Sequence, residues 1–307
     1  MLLWALLACT TPEQKESTPV GEEHPWPPAP SAYDCSAGAP PERWIPRDPT
    51  CATDRSCPDI LVSAHRGAGG QLGVIAPEDT VQAVWAAIAY GVDFVETDPR
   101  PTADGHLVNL HDTSVDRTTD GSGEAEALTL AEIQSFSVDS SPYPGDYSCT
   151  VVPTLEQILE AARGRVHVLV DANKTDRVDL LVEAIVSTDT LDWAIFDTSS
   201  VEKIDQALAI EPDLHTMIRV PTVEELDSQL AHFADHPPVI VEVDNSSVEL
   251  NSATLAAGHR PLTDVFIEDA QAAGSGNVEV YGQVLDDGVR IPQTDRPDLL
   301  LPYVWER

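Results

Sequence analysis

A rhythm of short apolar runs and longer amphipathic segments extends from Asp59 to the end of the chain, and it constrains the fold more than any other feature. Most of the short runs are apolar throughout, as expected for strands covered on both faces of a sheet. Nine strands are predicted, at 60–64, 92–96, 107–110, 166–170, 193–196, 215–219, 239–243, 264–267 and 289–291. Helices are predicted between many of them, at 80–90, 155–162, 177–186, 201–210 and 223–233.

These repeated strand–helix units favour a closed α/β architecture. Over about 240 residues they predict a (β/α)8 TIM barrel more than an open sheet. Nine candidates for eight strands mean that one prediction is wrong or marks an extra strand. We place a single barrel domain at 59–307, a Pro-rich linker at 10–58 and a signal-like segment at 1–9. The linker mixes Pro with Glu, Ser, Thr and Ala and has no helical or strand period.

The charge balance excludes some partners. The chain has 52 acidic and 17 basic side chains, a formal net charge of −35. This charge argues against nucleic-acid binding, which needs a basic surface. No apolar run reaches the ~18–20 residues that cross a bilayer. An anionic substrate would need a metal ion or a focused arginine to overcome the acidic field.

The first nine residues suggest export. They form a short apolar stretch that ends in Leu6-Leu7-Ala8-Cys9 and resembles the lipobox of bacterial lipoproteins. The stretch has no basic n-region, so an apolar N-terminus without this role is the alternative. We expect a lipid anchor at Cys9 as the chain's contact with a membrane. The expected location is the cell envelope, lipid-anchored or else periplasmic or extracellular.

Four further cysteines suggest disulfide bonds. An even number in an exported chain is typical of a disulfide framework, and four cysteines allow three pairings. A bond between Cys51 and Cys57 would close a small loop, and one between Cys35 and Cys149 would then join the linker to the barrel. The alternative is a zinc site, but the chain has no Cys-x2-Cys spacing and no histidine cluster nearby.

Polar side chains suited to catalysis follow the predicted strands. In chain order they are His65 and Arg66 after the first strand, Glu96 and Asp98 at the second, His111 and Asp112 at the third, and Asp171 at the fourth. The carboxyl ends of barrel strands form one face of the fold, which carries the active site. We therefore expect two imidazoles and at least three carboxylates at one mouth.

Three of these carboxylates predict a metal site. Glu96 and Asp98 are two residues apart, so they project to the same side of a strand. Carboxylates this close repel one another unless a cation lies between them. With Asp171 they offer three hard oxygen ligands, which suit Mg²⁺ or Ca²⁺ better than zinc. Each motif alone is more typical of a solvated rim, and their occurrence together carries the prediction of one divalent cation.

An ordered series of short motifs covers most of 60–172 and returns near the last predicted strand. It comprises His65-Arg66-Gly67, Ala76-Pro77-Glu78-Asp79-Thr80, 91–98, Thr102-Ala103-Asp104-Gly105, His111-Asp112, 116–123, 129–133, 153–157, Asp287-Gly288-Val289 and 294–300. In this order and spacing the series resembles the glycerophosphodiester phosphodiesterase family. Between 174 and 286 the likeness is limited to the strand–helix rhythm.

The resemblance implies a metal-dependent phosphodiesterase on a (β/α)8 barrel. Its expected substrates are glycerophosphodiesters such as glycerophosphocholine, cleaved to glycerol 3-phosphate and an alcohol. By position, it assigns the divalent ion to Glu96, Asp98 and Asp171, the acid–base pair to His65 and His111, and substrate binding to Arg66 and Lys174. These roles agree with the chemistry, because phosphodiester cleavage needs proton transfer to and from oxygen and neutralisation of developing charge.

The chain departs from the family pattern at several points. The family's usual Glu-x-Lys is here Asp171-Ala172-Asn173-Lys174. By strand parity Asn173 is predicted to face the site and Lys174 to face away. Asp79 stands where Asn is common, and 68–75 forms a longer loop. The family's tryptophan-containing seventh strand is not recognisable near Phe266.

Two alternative functions follow from these observations. The first is a related phospholipase on the same barrel, for which Tyr143 and Tyr147 are weak candidates for a membrane-facing loop. The second is a non-catalytic, barrel-bearing envelope lipoprotein. The altered sequence around Asp171 favours that alternative, and the intact histidines His65 and His111 oppose it.

Overall fold

The computed structural model describes residues 26–43, 48, 50–243 and 247–307, and these form the predicted barrel. Its strands are β1 (Ser63–Ala64), β2 (Phe94–Thr97), β3 (Pro99–Pro101), β4 (Leu107–Asn109), β5 (His167–Asp171), β6 (Ala194–Thr198), β7 (His215–Val220), β8 (Ile240–Val243), β9 (Pro261–Asp264) and β10 (Ile291–Thr294). Eight of them close a parallel barrel in the order β1-β10-β9-β8-β7-β6-β5-β2. The (β/α)8 prediction is confirmed.

Helices connect the barrel strands and cover them. They are α1 (Thr50–Thr53), α2 (Val81–Tyr90), α3 (Leu130–Ile133), α4 (Leu155–Ala162), α5 (Val178–Ser187), α6 (Val201–Ile210), α7 (Val223–His232), α8 (Val248–Ala256), α9 (Phe266–Ser275), α10 (Val280–Asp286) and α11 (Pro297–Glu306). Short 3-10 turns lie at Pro30–Ala32, Ala125–Ala127 and Ala172–Lys174. Among the described residues, none of these helices is long and apolar enough to cross a membrane.

Side-chain caps fix several helix starts. The Thr80 side chain accepts the Ala83 N–H at the start of α2, and Thr154 forms a capping box with Gln157 at the start of α4. These side chains satisfy backbone donors that have no partner inside the helix. At the other end of α2, Gly91 has φ 87°, a left-handed conformation that favours glycine. The local sequence therefore determines where these helices begin and end.

The predicted strand at 107–110 is not a barrel strand. It is β4, which pairs antiparallel with β3 in a separate two-stranded sheet. Two of the three residues of β3 are proline, Pro99 and Pro101, and proline has no N–H to donate to a central ladder. The chain therefore leaves the barrel after β2 and returns only at β5, which accounts for the ninth candidate strand.

The prediction for the seventh barrel strand is wrong by several residues. The strand is β9, which ends at Asp264, and the predicted 264–267 run instead leads into α9. A short apolar run such as Val265-Phe266-Ile267 fits a helix as well as a strand, so periodicity alone does not separate them. The first turn of α9 contains Glu268 and Asp269, which suit a helix N-terminus.

Apolar side chains fill the barrel at the amino ends of its strands. This cluster includes Leu61, Phe94, Leu169, Ile195, Met217, Ile240, Leu262 and Ile291, all buried. Ala52 of α1 packs against it, and the buried guanidinium of Arg260 donates to the carbonyls of Cys51 and Ala52. A packed amino end leaves the carboxyl end of the barrel free to hold a site.

Two disulfide bonds join the predicted cysteine pairs. Cys51 bonds to Cys57, and Cys35 bonds to Cys149 across 114 positions of sequence. The described part of the Pro-rich segment lies on the barrel, where Tyr33 is buried and Trp26 packs edge-on against Tyr90. Cys9 and the rest of the signal-like segment lie outside the described residues.

Candidate active site

The carboxyl end of the barrel holds a cavity of about 240 Å³ that all seven predicted site residues line. They are His65, Arg66, Glu96, Asp98, His111, Asp171 and Lys174. Strands β1, β2 and β5 are neighbours in the barrel, so residues at their carboxyl ends meet although they are far apart in the chain. The rest of the lining is Arg219, Glu242, Asp264, Phe266 and Gln293.

Three buried carboxylates converge on one side of this cavity. Oxygen atoms of Glu96, Asp98 and Asp171 all lie within 4.8 Å of one another. Burial, followed by the charges of Asp98, Asp79 and Asp171, raises the pKa of Glu96 well above its ordinary value. Oδ2 of Asp98 is buried without a hydrogen-bond partner. Such oxygens fit a hard divalent cation, which would remove their repulsion.

His65 is oriented by a carboxylate that the sequence analysis did not assign. Its Nδ1 lies 2.7 Å from Oδ1 of Asp295, and its Nε2 lies 3.8 Å from Oε2 of Glu96. The ring stacks on Phe266 at 4.6 Å between centroids. Burial opposes ionisation of Asp295, but hydrogen bonds from His65 and from the N–H groups of Leu72 and Gly70 leave its pKa below the ordinary value. The carboxylate beside Nδ1 favours a proton on that nitrogen, and Nε2 is directed away from Asp295.

His111 reaches the cavity from the excursion between β2 and β5, not from a barrel strand. It follows β4, and Arg100 holds its carbonyl with hydrogen bonds of 3.0 Å from Nε and 2.6 Å from Nη2. Its Nδ1 lies 3.0 Å from Oδ1 of Asp112. One third of the His111 side chain is exposed, against 14% for His65. The two imidazoles therefore line the cavity from different layers, one in the barrel and one above it.

Arg66 links the acidic cluster to the rim. Its φ of 50° is left-handed, and its backbone N–H donates to Oε2 of Glu96 at 3.1 Å. Its Nη1 donates to Oε1 of Glu78 at 3.0 Å, and its Nε lies 3.5 Å from Oδ2 of Asp98. Glu78 also accepts two bonds from Arg117. The guanidinium of Arg66 therefore offsets part of the negative charge of the cluster.

The parity prediction for Asn173 and Lys174 is wrong. The strand ends at Asp171, whose side chain accepts the Asn173 N–H at 2.7 Å and starts a 3-10 turn. This turn places Lys174 Nζ 3.5 Å from Oδ1 of Asp98 and 4.0 Å from Oδ2 of Asp171. Asn173 instead accepts hydrogen bonds from Thr198 and Ser199 after β6. Lys174, and not Asn173, therefore lines the cavity.

The residues of the opposite wall of the cavity were not predicted from the sequence. Arg219, at the end of β7, lies between Asp197 of β6 and Glu242 of β8, with Nε 2.9 Å from Asp197 Oδ1 and 3.1 Å from Glu242 Oε2. Burial raises the pKa of Asp197 to about 6, although Arg219 opposes the shift. Charged residues at these strand ends were visible in the sequence. Applying the strand-end rule to every strand would have found them.

The fold and this cavity define a (β/α)8 barrel protein whose titratable side chains converge at the carboxyl ends of its strands. The chain belongs to the Glycerophosphoryl diester phosphodiesterase family, whose family model matches residues 65–291. The match begins at His65 and ends in β10.

Individual relatives agree with this assignment. The chain is 29% identical over 194 residues to "Glycerophosphodiester phosphodiesterase" of Bacillus subtilis, a match that covers 57% of this chain and 63% of the relative. The chain thus spans less than two thirds of the length of the curated relatives it matches.

Solved structures share the fold. A glycerophosphoryl diester phosphodiesterase from Parabacteroides distasonis has a TM-score of 0.70 at 19% identity, covering 83% of this chain and 90% of that one. An Oleispira antarctica phosphodiesterase, solved in complex with the product sn-glycerol-3-phosphate, has a TM-score of 0.65 at 21% identity. That match covers 80% of this chain and 97% of the Oleispira chain.

Proposed function

We propose that this chain hydrolyses glycerophosphodiesters to glycerol 3-phosphate and an alcohol. The observation that carries the proposal is the convergence of two histidines, His65 and His111, and three carboxylates on one cavity. Membership of the family supports the reaction type. The product complex of the Oleispira relative supports the nature of the product.

In this proposal, Glu96, Asp98 and Asp171 hold a divalent cation, Mg²⁺ or Ca²⁺. A cation held there supplies neutralisation of charge on the phosphoryl oxygens. The hard oxygen donors and Oδ2 of Asp98, which is buried without a hydrogen bond, support this ligand set. Lys174 and Arg66 line the same cavity and supply further positive charge toward a bound phosphate.

The histidines carry out the proton transfers. Because Asp295 accepts at Nδ1 of His65, the Nε2 atom is the one that exchanges a proton with the substrate or the nucleophile. Asp112 plays the same part for His111, and Arg117 in turn fixes Asp112. Each imidazole is therefore held by a carboxylate, so one can accept a proton while the other donates one to the departing oxygen.

Turnover of two substrates tests this proposal against its alternatives. Purified protein is incubated with glycerophosphocholine or with intact phosphatidylcholine, each with Mg²⁺, with Ca²⁺ or with EDTA. We expect glycerol 3-phosphate from glycerophosphocholine, with loss of activity in EDTA and recovery on adding one of the two cations. Cleavage of the intact phospholipid alone supports the related lipase. No cleavage of either substrate supports a non-catalytic barrel.

We also propose that a lipid on Cys9 holds the protein in the cell envelope. The Leu6-Leu7-Ala8-Cys9 sequence supports this anchor, and the two disulfides support an oxidising compartment. Mass spectrometry of the N-terminal peptide tests it. An acylated Cys9 is expected, and an unmodified thiol in the mature protein would contradict the anchor.

A further inference from the structure

Asp269, in the first turn of α9, is a fully buried carboxylate that does not line the catalytic cavity. It accepts three hydrogen bonds, each of 2.7 Å. Oδ1 accepts from the hydroxyls of Tyr281 and Thr294, and Oδ2 accepts from the backbone N–H of Asp295. A buried carboxylate is costly unless hydrogen bonds compensate for its lost hydration, and these three donors provide them.

These hydrogen bonds keep Asp269 ionised despite its burial. Burial raises the pKa of Asp269 to about 6, and the hydrogen bonds from Tyr281, Thr294 and Asp295 oppose the shift. The group is therefore mainly ionised at neutral pH, and an ionised carboxylate accepts at both oxygens. Hydrogen bonds to a charged acceptor are stronger than those between neutral groups. Asp269 thus holds its three partners more firmly than a neutral side chain would.

Two of the three donors belong to consecutive residues that contact His65. The carbonyl of Thr294 accepts the backbone N–H of His65 at 3.0 Å. Oδ1 of the next residue, Asp295, lies 2.7 Å from Nδ1 of the His65 ring. Asp269 therefore fixes the short segment that holds both the backbone and the imidazole of His65.

Helix α9 also supports the imidazole directly. The ring of Phe266, at the start of α9, stacks on His65 with 4.6 Å between centroids and 30° between planes. Phe266 and Asp269 are three positions apart, so they lie on the same face of the helix. One face of α9 thus contacts the ring through Phe266 and holds its hydrogen-bond partner through Asp269.

We propose that Asp269 is a positioning residue for His65, which it holds in place through Thr294 and Asp295. The inference rests on the proposed function, in which Nε2 of His65 exchanges a proton with the substrate or the nucleophile. Proton transfer depends on placement, and a displacement of about 1 Å at a reacting group can cost about 10²-fold in rate. Because Asp269 does not line the cavity, it acts on the chemical step and not on substrate binding.

The first test compares Asp269→Ala with Asp269→Asn. The full chain with its divalent cation is assayed on glycerophosphocholine. In Asp269→Ala we expect kcat to fall by about tenfold or more and KM to change by less than about twofold, because the cavity lining is intact. The amide oxygen of Asp269→Asn can accept the Asp295 N–H, and its N–H groups can donate to the two hydroxyls. This conservative variant should restore kcat to within about threefold of wild type.

A matched control removes a buried carboxylate elsewhere. Asp34 is also buried and accepts the N–H groups of Ser36 and Asp146 at 2.9 Å, together with the Ser36 hydroxyl. It does not line the catalytic cavity. Asp34→Ala should lower Tm, as Asp269→Ala does, and keep kcat. An equal loss of kcat in the two variants would overturn the proposal, because lost stability alone would then account for it.

Nitrogen NMR of the His65 imidazole provides a readout that does not need turnover. We expect Nδ1 to carry the proton in wild type and in Asp34→Ala, and the two nitrogen shifts to move toward a mixture of tautomers in Asp269→Ala. An unchanged imidazole spectrum in Asp269→Ala would overturn the proposal. If wild type cleaves no glycerophosphodiester, the proposed function fails, and this spectrum still decides whether Asp269 positions His65.

A milder variant keeps the proposal testable if Asp269→Ala does not fold. Thr294→Val nearly keeps the size of the side chain and removes the hydroxyl that donates to Asp269. We expect the same changes in kcat and in the imidazole spectrum, but smaller, with kcat lowered by about threefold or more. A wild-type imidazole spectrum in Thr294→Val would then overturn the proposal.

Discussion

Nδ1 of His65 and Oδ1 of Asp295 lie 2.7 Å apart, and 230 positions of sequence separate the two residues. The contact exists because β1 pairs with β10 and closes the barrel. The same Asp295 oxygen also accepts the Gly70 N–H at 2.6 Å, so the carboxylate fixes both the imidazole and the loop beside it. This pair accounts for the orientation of His65 toward the acidic cluster.

Asp295 should therefore matter in catalysis through His65. In Asp295→Asn the side chain keeps its shape but loses the negative charge that favours the Nδ1–H tautomer. We expect kcat to fall by about 10²-fold or more. Nitrogen NMR of the imidazole should show a shift away from the Nδ1–H form. A normal kcat with an unchanged tautomer would remove Asp295 from this role.

The positive charge of Lys174 should contribute to activity, because this side chain and not that of Asn173 lines the cavity. Lys174 Nζ lies 3.5 Å from Asp98 and lines the cavity, so Lys174→Ala should lower kcat/KM by about 30- to 100-fold, or ~2–3 kcal/mol. Asn173→Lys should lower activity too, because it removes the side-chain hydrogen bond that Asn173 Nδ2 donates to Oδ1 of Asp171. Unchanged kcat/KM in Lys174→Ala would restore the interpretation in which this lysine faces away.

Most of the barrel could be predicted from its apolar runs. The meeting of six site residues at one cavity could be predicted because polar residues follow these runs; they are His65, Arg66, Glu96, Asp98, His111 and Asp171. The position of Lys174 could not be predicted, because strand parity assumes that the strand continues beyond Asp171. The Asp171 side chain instead caps a turn at that point. The role of Asp295 was hidden for another reason. Its partner His65 lies at the other end of the chain, and only barrel closure brings the two together. His111 lines the cavity as predicted, but it follows β4, which lies outside the barrel, and not a barrel strand.

The raised pKa of Glu96 predicts a pH dependence of stability. Burial and then the charges of Asp98, Asp79 and Asp171 raise this pKa above the ordinary value of 4.5. The folded state then binds more protons than the unfolded state, so this group lowers the free energy of unfolding as pH rises above the ordinary value. Glu96→Gln removes the effect. In EDTA, the Tm of Glu96→Gln relative to wild type should be higher at pH 8 than at pH 5.

A divalent cation should change the difference in Tm between wild type and Glu96→Gln. Mg²⁺ or Ca²⁺ stabilises the ionised carboxylates, so it should raise the wild-type Tm at pH 8 and have much less effect on Glu96→Gln. Equal shifts in Tm for the two proteins, or a Tm difference between them that does not change with pH, would contradict the assignment of Glu96 to the cation site.

The two disulfides should differ in their contribution to stability. Cys35 and Cys149 are 114 positions apart, whereas Cys51 and Cys57 are only 6 apart. In the chain-entropy description the long loop is worth about 4–5 kcal/mol and the short one about 2 kcal/mol. Urea denaturation of the two double Cys→Ser variants measures this difference. A larger loss of unfolding free energy on removing the short bond would contradict the ranking.

Release of glycerol 3-phosphate from glycerophosphocholine by wild type, His65→Ala and His111→Ala tests the central claim most directly. The control is His232→Ala, because His232 on α7 bonds to Asp205 and does not line the cavity. With a divalent cation present, wild type should release one choline for each glycerol 3-phosphate. His232→Ala should do the same. The other two variants should lose about 10²-fold or more in kcat with Tm kept. No release by wild type, or near-normal kcat in His65→Ala and His111→Ala, would contradict the account.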